Sequence, residues 1–134
     1  MGVYTDKDRI QHVLTEASMD FASNNAGGTI RGPRGKQGRL IRAIFRASTT
    51  IAGTTGDAKI NIGNGSDADA YMSWSIGEPA ADTERLTDDA VQTSNPIILD
   101  RLPADTDILV AIVEDTTGDG AGDGVLTVII DWDY

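Results

Sequence analysis

The loop between the last two apolar segments carries a pattern typical of a metal site. Asp115, Asp119 and Asp123 fall on positions one, five and nine of an EF-hand-like calcium loop, where hard oxygen ligands are needed. Thr117 and Leu126 replace the expected ligands at positions three and twelve, and strands rather than helices flank the loop. We therefore favour a structural hairpin loop, whose Gly and Asp residues tolerate positive φ. Calcium binding by the three aspartates is the alternative.

A second group of reactive side chains is basic. Between Phe21 and Gly56 there is no acidic residue, whereas from Ile60 onward only Arg85 and Arg101 oppose a long series of Asp and Glu. Such a division suits a protein that docks through one surface and shows another to solvent. The alternative is that folding mixes the two segments and leaves no patch. The cations of the first segment are Arg31, Arg34, Lys36, Arg39, Arg42 and Arg46.

The glycine-rich part of this basic segment does not match a nucleotide loop. Residues Gly32 to Gly38 contain a lysine, but the run lacks the Lys-Ser/Thr ending of a P-loop and precedes a β-branched strand instead of a helix. Its guanidinium groups are better suited to bidentate bonds with carboxylates on another chain. The sequence therefore favours a docking loop over a phosphate site.

Catalytic residues are hard to assemble from this sequence. His12 is the single histidine and has no plausible triad partners, and no carboxylate pair stands out on an aromatic-lined strand, since aromatic residues make up 5% of the chain. We expect a protein that is not an enzyme and that needs no cofactor.

Composition narrows the classes of partner and compartment. The 134 residues indicate one domain, and the lack of cysteine excludes disulfides and thiolate metal sites. A net charge of −10 disfavours binding to nucleic acid, because a polyanionic partner would be repelled. No apolar run approaches the roughly 20 residues that a membrane-spanning helix needs. No apolar stretch follows the first residues, so we expect no secretory signal and assembly in a host cytoplasm.

The elements that must position these residues are mostly strands. Leu126, Val128, Ile130, Trp132 and Tyr134 fall on one side of a period-two pattern and predict one core-facing strand face. Ile108–Val113 is apolar on both sides, as in a covered or central strand. The same alternation predicts core positions in the middle of the chain. These are Ile41, Ala43, Phe45 and Ala47, then Ala58, Ile60 and Ile62, then Ala70, Met72, Trp74 and Ile76.

The N-terminal and acidic regions are less regular. Val13 to Phe21 alternates as a strand, although Thr5 and Asp8 with Ile10, Val13, Leu14 and Ala17 also allow a helix. We favour an N-terminal arm over residues 1–12 and a domain over 13–134. Residues 78–92 are predicted as a loop with a short strand or turn, and residues 96–99 begin another strand.

Seven or eight short strands, separated by turn signals, predict an all-β fold. The expected architecture is a single-domain β-sandwich with jelly-roll-like connectivity. Because such sandwiches must protect their edge strands, homo-oligomerisation or docking onto a larger sheet is expected.

Three segments carry a family resemblance, Gly28–Lys36, Ala58–Gly63 and Gly122–Trp132. In style and strand order, residues 28–134 resemble the decoration or cement proteins of tailed bacteriophage capsids. The resemblance implies a virion structural protein on the capsid exterior, a dimer or trimer that clamps neighbouring major capsid protein subunits. Charge, rather than the resemblance, selects the docking residues Arg31, Arg34, Lys36 and Arg39, with the N-terminal arm as a second contact.

A different class of function uses other residues. A carbohydrate- or receptor-binding module, such as a head spike, fibre or tail tip, would employ Trp74, Tyr71 and the Asp115–Asp123 loop. Trp74 is in phase with the core positions, whereas Tyr71 is predicted to face outward among serines. Binding of calcium or glycans would favour this module, and binding to empty shells would favour the cement protein.

Overall fold

The computed structural model describes residues 10–22, 25–52, 59–88, 95–113 and 120–133. These residues form strands and connecting turns, and the all-β prediction is confirmed. The strands are β1 (Ile10–Asp20), β2 (Asn25–Ile30), β3 (Gln37–Ala47), β4 (Lys59–Gly63), β5 (Met72–Trp74), β6 (Glu84–Leu86), β7 (Arg101–Leu102), β8 (Ile108–Val113) and β9 (Asp123–Asp133).

The strands pair into two antiparallel sheets. The four-stranded sheet has the order β2-β8-β4-β5, and the five-stranded sheet has the order β1-β9-β3-β6, with β7 also paired to β3. The chain crosses between the sheets at every connection except β4 to β5 and β6 to β7. This interleaving of two sheets is the jelly-roll arrangement of a sandwich. The described residues form nine strands where seven or eight were predicted, and the edge of the five-stranded sheet is divided between two short strands, β6 and β7.

The core lies between the two sheets and follows the predicted alternation in most strands. Leu126, Val128, Ile130 and Trp132 of β9 are fully buried, which confirms the predicted face. Strand β8 lies centrally between β2 and β4, as its two-sided apolar character predicted. The other predicted core residues confirmed as buried are Ala43, Phe45, Ala47, Ile60, Ile62, Met72, Trp74 and Ile76.

Two glycines are required because Trp132 packs against the backbone of the β2–β3 loop and β3. A Cβ added to Gly32 would stand 2.4 Å from Cζ3 of Trp132, and one added to Gly38 would stand 2.7 Å from the same atom. Both contacts are closer than van der Waals packing allows. The indole therefore fixes the start of β3 and the loop that precedes it.

The predicted phase of β3 is wrong at its first half. Leu40 is buried and Ile41 is 43% exposed, the reverse of the prediction. The register with β9 shifts between Leu40 and Arg42, so Ile41 is the extra residue of a β-bulge. A bulge reverses the alternation on one side of it, and the sequence pattern does not mark its position.

The N-terminal strand also contains a register shift. β1 begins at Ile10, three residues before the predicted start, and residues 10–20 are strand and not the alternative helix. Its pairing with β9 shifts between Glu16 and Met19, so the single alternation predicted from Val13 to Phe21 is interrupted. Residues 1–9 of the predicted arm lie outside the described residues.

The acidic region contains one short strand, β6, as predicted. The strand predicted to begin at residues 96–99 is reduced to an isolated bridge between Ile97 and Met72, followed by the two-residue β7. No helix in the described part of the chain is long and apolar enough to cross a membrane.

Candidate docking surface

Folding mixes the basic and acidic segments of the sequence. At least four of the six cations in the basic segment form ion pairs with aspartates from the acidic half, and these four pairs are solvent-exposed. Exposed pairs of this kind contribute about 0–1 kcal/mol each. Their main effect is to cancel most of the charge separation seen along the sequence. The pairs are Arg31–Asp107, Arg39–Asp100, Arg42–Asp88 and Arg46–Asp82.

The β2–β3 loop is held in one conformation by the turn that precedes β8. Arg31 donates from Nη1 to Oδ1 of Asp107 at 2.7 Å and from Nη2 to the carbonyl oxygen of Asp105 at 2.8 Å. The amide of Gly35 donates to Oδ1 of Asp105 at 3.0 Å. The two loops are thus joined by side chains from each: Arg31 of the first loop donates to the second, and the Asp105 carboxylate of the second accepts from the first. The Arg31 guanidinium is therefore already bonded within the chain.

The tip of this loop is a tight turn that presents Arg34. The amide of Lys36 donates to the carbonyl oxygen of Pro33 at 3.1 Å, and Gly35 has φ +75°. A positive φ at the third position is the mark of a type II turn, and glycine accepts it without steric cost. Arg34 occupies the second position and is exposed, with no ion pair to another described residue.

An open groove lies beside Arg39, further along the same end of the sandwich. It has a volume of about 390 Å³ and is lined by β3 on one side and residues 95–100 on the other. Ile41, Ile98 and Leu99 line it and are 43%, 62% and 50% exposed. The Arg39–Asp100 ion pair lies at its rim.

The structure brings three of the predicted docking residues into one loop and places the fourth at the groove. Arg31, Arg34 and Lys36 belong to the β2–β3 loop, and Arg39 stands opposite Arg101 in the β3–β7 pairing. The turn from Leu102 to Asp105 connects the two places. Sequence reasoning missed Ile98 and Leu99 as surface residues. Their signal was the uninterrupted run of Ile97, Ile98 and Leu99, which cannot all face a core from a strand.

The predicted calcium ligands are only partly within the described residues. Asp115 and Asp119 lie outside them, while Asp123 opens β9. Oδ1 of Asp123 accepts a hydrogen bond from the Thr49 hydroxyl at 2.8 Å, and the Asp123 amide donates to the same hydroxyl oxygen at 3.0 Å. Among the described residues no group of three or more His, Asp or Glu side chains is arranged to hold a metal ion.

The aromatic candidates for a binding platform are both buried. Trp74 is fully buried, as its phase predicted, and Tyr71 is 4% exposed, so the prediction that it faces outward is wrong. Residues 95–99 run beside the backbone of Tyr71, since the amides of Ile98 and Leu99 both donate to its carbonyl oxygen. Its hydroxyl accepts a hydrogen bond from Nδ2 of Asn64 at 3.3 Å. Neither ring is available to stack on a sugar.

Comparison with known proteins yields two remote structural neighbours. No family model and no curated protein matches the chain. The T13 viral particle of infectious bursal disease virus (IBDV) aligns with 95% of this chain and 36% of its own, at 11% identity and a TM-score of 0.42. The Gx strain of the same virus aligns with 93% of this chain and 36% of its own, at 12% identity and a TM-score of 0.36. Both matched chains come from structures of this virus, and the present chain spans about a third of the length of each matched chain.

Proposed function

We propose that this chain is a virion structural protein that binds the outer surface of a tailed-bacteriophage capsid and stabilises contacts between major capsid protein subunits. The jelly-roll strand order supports a structural role in a virus, because this architecture is common in viral capsid proteins, although lectins and cupins share it. The fold alone does not select the partner. The choice of a capsid surface rests on the resemblance and on the docking loop.

The observation that carries the proposal is the clamped β2–β3 loop. Asp105 and Arg31 fix its backbone, and the turn Pro33–Lys36 presents Arg34 to solvent. A loop that is already ordered loses less conformational entropy on binding than a flexible one. The Arg34 guanidinium, carried on this ordered backbone, is suited to a carboxylate on a partner protein, to which it can donate two parallel hydrogen bonds.

Acidic residues next to the loop favour a protein carboxylate over a nucleic acid. Asp105 and Asp107 lie within the clamp itself, and the whole chain carries a net charge of −10. A phosphate backbone needs an extended stripe of cations, which these aspartates interrupt. A single surface carboxylate needs only Arg34 and its immediate neighbours.

Binding of this kind stabilises a shell by linkage. A protein that binds the assembled shell, and not the separate subunits, favours the assembled state in proportion to its occupancy. A dimer or trimer of this chain would bind with higher avidity, since later contacts form within one complex once the first has formed.

Charge reversal of the loop tests the proposal. The variant Arg34→Glu should bind empty capsid shells about tenfold more weakly, equal to about 1.4 kcal/mol, because a charge-assisted bond is replaced by repulsion. Lys59→Glu is a matched control, since it changes the net charge equally from an exposed position at the start of β4 in the other sheet. Co-sedimentation with shells measures both.

The result against the proposal is a folded Arg34→Glu protein that binds shells as tightly as Lys59→Glu does. Circular dichroism and the melting temperature establish that both variants are folded. Adding Lys36→Glu to Arg34→Glu should weaken binding further, because the two cations lie in the same turn.

A further inference from the structure

The groove beside Arg39 gathers exposed apolar side chains. Among the residues whose side-chain exposure the structure describes, four large apolar side chains are exposed, and three of them, Ile41, Ile98 and Leu99, line this groove. The fourth, Val113, ends β8 in the other sheet. Scattered exposed apolar residues are ordinary, but a cluster beside polar residues marks an interaction site.

The groove exists because the edge of the five-stranded sheet is interrupted. β6 pairs with Ile44–Arg46 and β7 pairs with Gly38–Arg39, and no strand among the described residues pairs with the part of β3 between them on this side. The β-bulge lies in this interval and turns Ile41 outward. Two irregularities therefore expose apolar surface at the same place.

The opposite wall of the groove is firmly attached. The amides of Ile98 and Leu99 donate to the carbonyl oxygen of Tyr71, at 2.9 Å and 3.3 Å. The amide of Leu40 donates to the carbonyl oxygen of Asp100 at 2.7 Å. Both ends of this wall are bonded to the sheets, so the groove is formed before any partner binds, as ligand-binding clefts usually are.

Charge around the groove selects the kind of partner. The groove and the β2–β3 loop form one surface through Arg39, Arg101 and the turn that ends at Asp105. Five cations and four carboxylates lie along it, a surplus of one positive charge on a chain whose net charge is −10. Arg31 and Arg39 are paired with Asp107 and Asp100, and Asp131 faces Arg39 across the β3–β9 pairing. The cations are Arg31, Arg34, Lys36, Arg39 and Arg101, and the carboxylates are Asp100, Asp105, Asp107 and Asp131.

We infer that this groove is the apolar centre of the docking surface and takes apolar side chains from an acidic segment of the capsid protein. The inference rests on the proposed function and adds a second anchor to it. At about 390 Å³ the groove suits side chains from one short segment. The carboxylates of that segment meet Arg34 and Arg39 at the rim. Apolar centres within polar rims are the usual anatomy of protein interfaces.

The test removes apolar surface without changing charge. The double variant Ile98→Ser/Leu99→Ser should bind empty capsid shells at least about tenfold more weakly, since central apolar anchors carry most of the binding energy. Val113→Ser is the matched control, because it removes an exposed apolar side chain outside the groove and should bind as the wild type does. Ile41→Thr, on the opposite wall, is an independent variant should the double variant unfold.

Each outcome decides the inference. Wild-type binding that both groove variants retain would overturn it and leave the proposed function standing. Failure of the wild-type protein to bind shells would overturn both. Mass photometry of the free protein adds one more outcome. If the double variant dissociates an oligomer but still binds shells with unchanged affinity, the groove joins copies of this chain, and the inference is wrong.

Discussion

The contact between Trp132 and the glycines that face it gives the most sharply defined prediction. In Gly38→Ala, the added Cβ would stand 2.7 Å from Cε3 and Cζ3 of Trp132 and 3.0 Å from Cγ2 of Ile130. Trp132 is fully buried between the sheets, so its ring has no solvent-facing position to move into. The backbone of Gly38 does not have a left-handed φ. Steric overlap is therefore the main cost of the substitution.

The size of the effect follows from overpacking of a core. Extra methyl groups in well-packed cores cost about 1–3 kcal/mol of unfolding free energy. For a domain of this length, each 1 kcal/mol lowers the melting temperature by roughly 3–5 °C. We expect Gly38→Ala to melt about 3–15 °C below the wild type. Differential scanning calorimetry measures this shift, and urea unfolding gives the free energy.

Two other glycines supply the controls. Gly65 has open space around its Cβ position and an ordinary φ, so Gly65→Ala should change stability by less than about 1 kcal/mol. Gly35 also has open space but a φ of +75°, so Gly35→Ala should cost about 1–2 kcal/mol from backbone strain alone. Together they separate steric overlap from backbone conformation.

A double-mutant cycle identifies the partner in the overlap. Trp132→Leu destabilises the protein by itself, but it also makes room beside Gly38. The two substitutions should therefore cost less together than the sum of their separate costs, by at least about 0.5 kcal/mol. Strict additivity, or a Gly38→Ala protein as stable as Gly65→Ala, would show that the packing described for Trp132 is wrong.

Two further predictions concern a buried hydroxyl and the aspartate loop. Thr87→Val should cost about 1–3 kcal/mol by thermal unfolding, because the Ala43 amide loses the buried acceptor that the Thr87 hydroxyl provides at 3.1 Å. Thr87→Ser keeps that acceptor and should be closer to the wild type, so equal losses in both would contradict the assignment. Calcium titration should give no binding heat and no rise in melting temperature, since Asp123 is already bonded to Thr49. A rise in melting temperature of several degrees at millimolar calcium would support calcium binding by the aspartate loop instead.

The sequence predicted the sandwich well where alternation is uninterrupted. β9 and β5 each keep one phase, so their buried residues could be assigned from period two alone. β3 shows the limit, because its bulge at Ile41 is set by pairing with β9 and leaves no local signal. Tyr71 shows another limit, since it is buried although its local pattern predicted an outward face, and a segment more than twenty residues away is bonded to its backbone. Burial by distant segments does not follow from local pattern.

The candidate site was predicted only in part, for an electrostatic reason. The glycine-rich run from Gly32 was predicted as a loop, and residues 31–36 form one that presents Arg34, but the partners of Arg31 and Arg39 were not predicted. Those partners lie 76 and 61 residues away along the chain. Net charge along a sequence therefore overstates the charge of a surface when the fold brings opposite segments together. The apolar groove depends on an interrupted edge strand, which only the pairing shows.

The central place of β9 has a consequence for how the protein folds. β9 is the last of the described strands in chain order, yet it lies between β1 and β3 and joins them into one sheet. During synthesis, β1 and β3 cannot form their pairing with β9 until β9 has emerged from the ribosome, and such long-range pairing is slow to form. A chain interrupted before Asp123 would leave two long strands without their shared neighbour. Unpaired edges of that kind aggregate. Premature termination should therefore yield insoluble protein instead of a partly folded domain.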